Sequence, residues 1–365
     1  MIWVEPPDGI RRSLYLGSSE RRKPHAVLRR MLDALPEDMP PMGAGDPVDT
    51  LQQRVAALLG KEAALLLPTG KMAQQIALRI NADRSGIRTF AAHPTCHLVN
   101  WELDGYAHVH NLDFQPLGND RELFTAAHIR AVPVPVSTVV WELPQREIGG
   151  LLPDWDTLAE QLRTARDLGA RTHLDGARLW EAQTGYDQSA ADIAGVFDSV
   201  YVSLYKTLEA PRGAVLLGDR SFVTEASRWA VRLGGESAGN WPLGAAGLLA
   251  LDDIVPRMST YRDHALRMAE AINATESART VPDVPRTPYF QVELPVGPES
   301  AASAHTELCE ETGLEVFRTL RTRDEPDTCA FEISITEASS DIAPADVAAF
   351  LTELVQRARQ MDAAA

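Results

Sequence analysis

From Asp46 onward the chain alternates short apolar runs with helical patterns, and this alternation limits the fold more than any other feature. Asp46-Pro47 reads as a helix cap with proline in the first turn, and Leu51, Val55, Leu58 and Leu59 follow on one face. The run Ala63-Ala64-Leu65-Leu66-Leu67 predicts a strand that passes through Pro68-Thr69-Gly70 into a second helical pattern over 72–78. Further strands are expected at 88–92, 134–141, 171–174, 199–204 and 213–217, with helical patterns such as 155–168 between several of them. Strands separated by helices imply an α/β fold whose sheet is mainly parallel and buried on both faces. After about Asp252 the texture changes to a long helical pattern reaching about Ala274. Strands are then expected at 289–294 and 328–335 around a helix, with a last helix over 344–361. Three parts follow: an N-terminal arm over 1–45 with the basic patches Arg11-Arg12 and Arg21-Arg22-Lys23, a large α/β domain over 46–255, and a smaller C-terminal α+β domain over 256–365.

The 365 residues carry 51 acidic against 35 basic side chains, a net charge of −16, which argues against general affinity for nucleic acid or anionic membrane. A small molecule is the expected partner. No apolar run approaches the roughly 20 residues that span a bilayer. The opening Met1-Ile2-Trp3-Val4-Glu5-Pro6-Pro7-Asp8 lacks the basic start and apolar stretch of a secretory signal, so the cytoplasm is the default expectation. Cys96, Cys309 and Cys329 have no CxxC spacing and are expected to be reduced thiols.

In an α/β sheet, ligands bind beyond the carboxyl ends of the strands. Four such ends carry chemistry here. At Pro68-Thr69-Gly70-Lys71 a strand gives way to a helix whose free N–H groups and dipole suit a phosphate, although an ordinary tight turn has the same pattern. The absence of GxxxxGK[ST] and of GxGxxG removes support for nucleoside triphosphate and dinucleotide binding. In His173-Leu174-Asp175-Gly176-Ala177-Arg178 a carboxylate ends an apolar strand. It is placed to grip a protonated ring nitrogen or a metal, or to cap the next helix. In Ser199-Val200-Tyr201-Val202-Ser203-Leu204-Tyr205-Lys206 a lysine follows an apolar strand, where desolvation favours the neutral amine that Schiff-base chemistry needs. The fourth end is His93-Pro94-Thr95-Cys96-His97, where Pro94 weakens the helix that a zinc pair would require. Together, a phosphate turn, a ring-sized histidine, a strand-end aspartate and a strand-end lysine describe a site for pyridoxal 5′-phosphate.

With these residues the sequence resembles the threonine aldolase and β-eliminating lyase family of fold-type I pyridoxal phosphate enzymes. The similar stretches are Gly60-Lys61-Glu62-Ala63-Ala64 through Pro68-Thr69-Gly70, then 97–105 with Glu102, then Leu174-Asp175-Gly176-Ala177-Arg178 after His173, and Asp198-Ser199-Val200 through Lys206. The resemblance implies the aspartate aminotransferase type of fold, a large domain with a mainly parallel sheet and a smaller C-terminal domain. It also implies that Lys206 carries the cofactor, that Asp175 partners the pyridine nitrogen and that His97 lies against the ring. Gly70 and Lys71 would give backbone donors to the phosphate with Ser203 as helper, and Arg178 would take the substrate carboxylate. Ser18 falls where the family has a serine near that carboxylate.

Three positions depart from the family pattern. Trp141-Glu142-Leu143-Pro144-Gln145 stands where the aldolases have an Asn-Thr-His type segment, and Gln145 can hydrogen-bond to substrate but cannot act as a base near neutral pH, so His97 or a water would have to take the β-hydroxyl proton. Glu332 aligns with a second carboxylate-binding arginine, where a glutamate would repel a carboxylate and attract an amine, unless Arg318, Arg321 or Arg323 of the preceding segment reaches in instead. Ser18-Ser19-Glu20 replaces a Ser-Asp-Thr type triplet. The expected activity is that of a lyase cleaving the Cα–Cβ bond of a β-hydroxy-α-amino acid to glycine and an aldehyde. The alternative is β-elimination, racemisation or transamination of another amino acid or amine. By family resemblance a homodimer or homotetramer is expected, with no metal in the active site.

Overall fold

Aliphatic runs of four to six residues, too short for a stable helix, pair here as strands. The computed structural model describes residues 1–15, 22–186, 188–235, 239–323, 325 and 327–364. The chain divides into one unit of Pro24–Pro256 and a second of Met1–Lys23 with Arg257–Ala365. In the larger unit seven strands form one sheet, in the order Ala63–Leu67, Ala214–Gly218, Ser199–Ser203, Arg171–Gly176, Thr138–Glu142, Thr89–Ala92 and Asp113–Pro116. Every neighbouring pair is parallel except those made by Ala214–Gly218, which runs antiparallel to both of its neighbours. The mainly parallel sheet expected from the alternation is therefore present, and two of its inner strands, Ser199–Ser203 and Ala214–Gly218, are buried along their whole length.

The helix Gly70–Ser85 shows how the sequence covers one face of this sheet. Thr69 caps it by accepting the Met72 N–H, and Gly86 ends it with φ 73°, in the left-handed region that glycine enters without steric cost. Ala73, Ile76, Ala77 and Ile80 pack with Leu67, Tyr201, Leu216, Phe222 and Ala226. Burying each isoleucine contributes about 2 kcal/mol, so the hydrophobic face fixes this helix, and its N-terminus, against the strand ends.

Two strands of this sheet differ from expectation. The strand read at 134–141 begins only at Thr138 and extends to Glu142. Pro133 and Pro135 have no N–H to offer a ladder, and Val134 is exposed. Asp113–Pro116 was not expected, because an edge strand needs one partner only and its sequence Asp-Phe-Gln-Pro is half polar.

In the second unit a five-stranded antiparallel sheet has the order Ile2–Trp3, Thr319–Thr322, Cys329–Ser334, Tyr289–Leu294 and Arg279–Val281. The helices of this unit are Met258–Asn273, Pro298–Thr312 and Pro344–Ala364, and the last packs on the other two. Residues read from sequence as an arm are divided between the units. Arg12–Ser13 pairs in parallel with Leu314–Glu315, and Arg12 meets Asp346 at 2.9 Å, whereas the helix Pro24–Ala34 lies in the larger unit against Trp241–Ile254.

Candidate active site

Three carboxyl-end residues stand side by side across the parallel sheet: Glu142 is in register with Asp175, and Asp175 with Tyr201. They open onto one cleft that Gly70, His97, Arg178 and Lys206 also line. Five residues singled out from sequence, Gly70, His97, Asp175, Arg178 and Lys206, are thus brought together from a stretch of more than a hundred residues. Their common location follows from sheet topology, since parallel strands deliver all of their carboxyl ends to one edge.

Asp175 is buried, and its carboxylate accepts from the Gln74 side-chain amide and from the Ala177 N–H at 3.0 Å. Burial raises its pKa above the ordinary carboxylate range, while the nearby His97 and Lys206 charges oppose the shift. Gln74 is itself oriented from behind. Its Oε1 lies 3.0 Å from His173 Nε2, and His173 Nδ1 lies 2.7 Å from Ser199 Oγ. With Gln74 Nε2 donating to a carboxylate, its Oε1 must accept, so His173 carries its proton on Nε2 and Ser199 donates to Nδ1. Desolvation pushes the buried His173 down to about 3, which keeps this imidazole neutral.

Gly70 opens its helix beneath Tyr201. A Cβ at this position would overlap the Tyr201 hydroxyl, so glycine is required for the phenol to reach the helix start. The first-turn N–H groups have no acceptor within the helix and present a positive dipole end toward the cleft. Lys71 contributes here through its backbone alone, because its ammonium reaches the Trp101 carbonyl at 2.5 Å. Burial raises Tyr201 well above the ordinary phenol value and keeps it a neutral donor.

On another wall His97 Nδ1 meets Glu102 at 2.9 Å, and Glu102 also accepts from Gln75 Nε2 at 2.7 Å. Glu142 accepts from the His97 N–H at 3.3 Å, the Arg146 N–H at 3.2 Å and Gln145 Nε2 at 3.4 Å. The Arg146 guanidinium lies over the Trp101 ring, 4.9 Å from its centroid, and Trp101 Nε1 donates to Glu147 at 2.8 Å. Arg178 Nε is 3.6 Å from Glu181, a buried carboxylate that also accepts from Thr207 Oγ1. The Lys206 ammonium lies 5.4 Å from the Tyr205 ring centroid.

Other residues proposed from sequence lie elsewhere. Ser203 is buried, and its Oγ accepts the Tyr205 N–H at 3.2 Å. Gln145 is buried behind Glu142, and Glu332 forms an ion pair with Arg321 within the second unit. The glutamate charge that would attract an amine is thus offset by an arginine. Ser18 falls outside the described residues. His93 is engaged by the Glu122 carbonyl at 2.9 Å and by the Thr95 N–H at 3.1 Å. Among the described residues no group of three or more His, Cys, Asp or Glu side chains is arranged to hold a metal ion. Gln74, Glu142, Arg146 and Tyr201 had not been singled out. Glu142 could have been found by the rule that identified Asp175, as the acidic residue ending an apolar strand.

The donor set fits pyridoxal phosphate. A buried carboxylate held by neutral donors, a lysine in the same cleft and a helix start cleared by glycine correspond to the ring nitrogen, aldehyde and phosphate of that molecule.

Comparison with known proteins agrees with this chemistry. The sequence profile of the beta-eliminating lyase family matches residues 23–292. Low specificity L-threonine aldolase of Escherichia coli K12 is 29% identical over 290 residues, covering 77% of this chain and 84% of the relative. A low-specificity L-threonine aldolase of Arabidopsis thaliana is 25% identical over 319 residues, covering 85% of this chain and 89% of the relative. A crystal structure of a candidate L-allo-threonine aldolase from Listeria monocytogenes superposes with a TM-score of 0.86 at 34% identity, covering 92% of this chain and 94% of the other. Serine palmitoyltransferase of Sphingomonas wittichii shares the fold alone, with a TM-score of 0.64 at 13% identity, covering 96% of this chain and 86% of the other. With a seven-stranded sheet whose carboxyl edge gathers Asp175, Lys206 and the Gly70 helix start, and with the profile spanning most of its length, this chain belongs to the beta-eliminating lyase family.

Proposed function

We propose that the protein is a pyridoxal 5′-phosphate-dependent aldehyde-lyase of the threonine aldolase type. It splits the Cα–Cβ bond of a β-hydroxy-α-amino acid into glycine and an aldehyde. The observation that carries this reading is the meeting of Lys206, Asp175 and the Gly70 helix start in one cleft of a chain related to threonine aldolases.

Bound there, the cofactor supplies an electron sink for the pair released when a bond at the substrate Cα breaks. Lys206 is the amine that holds its aldehyde. Asp175 would hold a proton at the ring nitrogen, and Gln74 with Ala177 keeps that carboxylate in place. The N–H groups of Gly70 and Lys71 would hold the phosphate, with Tyr201 a further donor close to Gly70. His97, steadied by Glu102, would lie against the ring. Arg178 presents a planar fork to the substrate carboxylate and so selects which Cα bond stands ready to break. Gln145 cannot accept the β-hydroxyl proton, so a neighbouring group must do so.

Incubating reconstituted protein with threonine, allothreonine and phenylserine is expected to release aldehyde and glycine. Release of pyruvate and ammonia or inversion of substrate, without aldehyde, would refute aldol cleavage in favour of the other bond-breaking modes. The substrate is a small amino acid, and we place the enzyme in the cytoplasm as a homodimer or homotetramer. Light scattering of the purified protein tests the assembly. Among the described residues no helix is long and apolar enough to cross a membrane.

A further inference from the structure

We propose that Glu142 is the base that takes the β-hydroxyl proton in this enzyme, a role resting on the aldolase reading above. Aldol cleavage needs an acceptor for that proton, and the segment where such a base is expected carries Gln145, an amide. The cleft wall contains three carboxylates, Glu102, Asp175 and Glu142. Glu102 is held by short contacts, His97 Nδ1 at 2.9 Å on one oxygen and Gln75 Nε2 at 2.7 Å on the other. Asp175 is clamped by Gln74 and Ala177 and is committed to the ring nitrogen. Glu142 is the most loosely held. Its contacts, from the His97 and Arg146 N–H groups and from Gln145 Nε2, are all neutral donors at 3.2–3.4 Å, at or beyond the long end of the hydrogen-bond range. Both of its oxygens are engaged, but by contacts long enough to yield to a substrate hydroxyl at the cleft, one strand away from Asp175.

The electrostatic surroundings suit the task. Asp175 faces Glu142 from the next strand, Cys96 and His97 from the start of the helix His97–Asn100, Arg146 from the following turn and Arg178 from the loop beyond Asp175. Burial and Asp175 raise the Glu142 pKa, and the two arginines moderate the rise without a side-chain hydrogen bond to it. Such a carboxylate is a stronger base than an ordinary glutamate. In the step itself the substrate Oβ–H proton passes to Glu142, the O–H pair becomes the carbonyl π bond, and the Cα–Cβ pair retreats to Cα. Protonation of Cα then completes glycine, so the proton lost at oxygen is matched by one gained at carbon, and Glu142 returns its proton to solvent as the aldehyde leaves.

The test compares wild type, Glu142→Gln and Glu142→Asp as reconstituted enzymes, following phenylserine cleavage against pH and exchange of the glycine α-proton in deuterated water. Exchange at glycine needs the cofactor and Lys206 but no base at a β-hydroxyl. In Glu142→Gln, kcat for cleavage is expected to fall about 100-fold and lose its acidic limb, while glycine exchange stays within roughly threefold of wild type. Glu142→Asp is expected to keep the limb at reduced kcat. Cleavage that persists undiminished in Glu142→Gln overturns the proposal, as does glycine exchange that falls in parallel with cleavage, which marks a structural role. Absence of cleavage in the wild type overturns the aldolase reading itself, and this proposal with it.

Discussion

Replacing Gln74 with leucine removes the amide between Asp175 and His173 at almost constant volume. Asp175 then keeps the Ala177 N–H as its donor in this pair of contacts, and the His173 Nε2 proton loses its acceptor. Gln74, His173 and Asp175 are all buried, so water does not replace the lost partner. A hydrogen bond to a charged group contributes about 1.5–3 kcal/mol, and at 1.4 kcal/mol per factor of ten the cofactor is expected to bind about 10- to 100-fold more weakly. Reconstitution of apoprotein followed by the visible absorbance of bound pyridoxal phosphate measures that ratio. A cycle with His173→Leu isolates the chain of contacts, because each single change strands a buried partner that the double change removes. The double variant is therefore expected to bind the cofactor about 1 kcal/mol better than the sum of the single losses allows. Unchanged affinity in Gln74→Leu, or strict additivity in the cycle, would refute the view that this buried relay holds Asp175 for the ring nitrogen.

Three further outcomes are expected. Lys206→Ala should abolish both the visible band and its trapping by borohydride, and retention of cofactor and rate by this variant would remove the basis of the whole assignment. Gly70→Ala places a methyl group on the Tyr201 hydroxyl and should weaken cofactor binding by at least about tenfold with little change in fold, checked by reconstitution and far-ultraviolet circular dichroism. Burial depresses His110 to about 4, His173 to about 3 and His305 to about 4 from an ordinary 6.5. The unfolded chain therefore binds more protons than the folded one between about pH 6.5 and 4, so these groups withdraw stability as pH falls through that window. Each costs about 2 kcal/mol at pH 5. Replacing His305 with glutamine should flatten the acid side of a urea-unfolding series by about that amount, and an unaltered pH slope would contradict it.

Legibility in the sequence followed locality. The strands at 63–67, 199–203 and 214–218 were expected within a residue or so, because aliphatic runs bounded by turn residues have few alternatives. Asp113–Pro116 and the two-residue strands Ile2–Trp3 and Arg12–Ser13 had no such signal, since neighbours far along the chain hold them in place. The candidate site divides in the same way. Asp175, Lys206, His97 and Gly70 each sit at a strand end or helix start visible in a window of eight residues. Gln74 is an unremarkable helix residue until its partners, 101 and 99 positions away, are folded against it.

The amino-acid order alone determined the α/β alternation, the chemical types available at the strand ends and hence the class of cofactor, because turn residues, apolar period and side-chain chemistry are local properties. Tertiary structure alone decided which of those groups share a cleft, that Glu332 is neutralised by Arg321 and that Glu142 stands beside Asp175 with weak donors. These depend on strand register and on burial, and burial is what turns an ordinary carboxylate into one whose proton affinity serves chemistry.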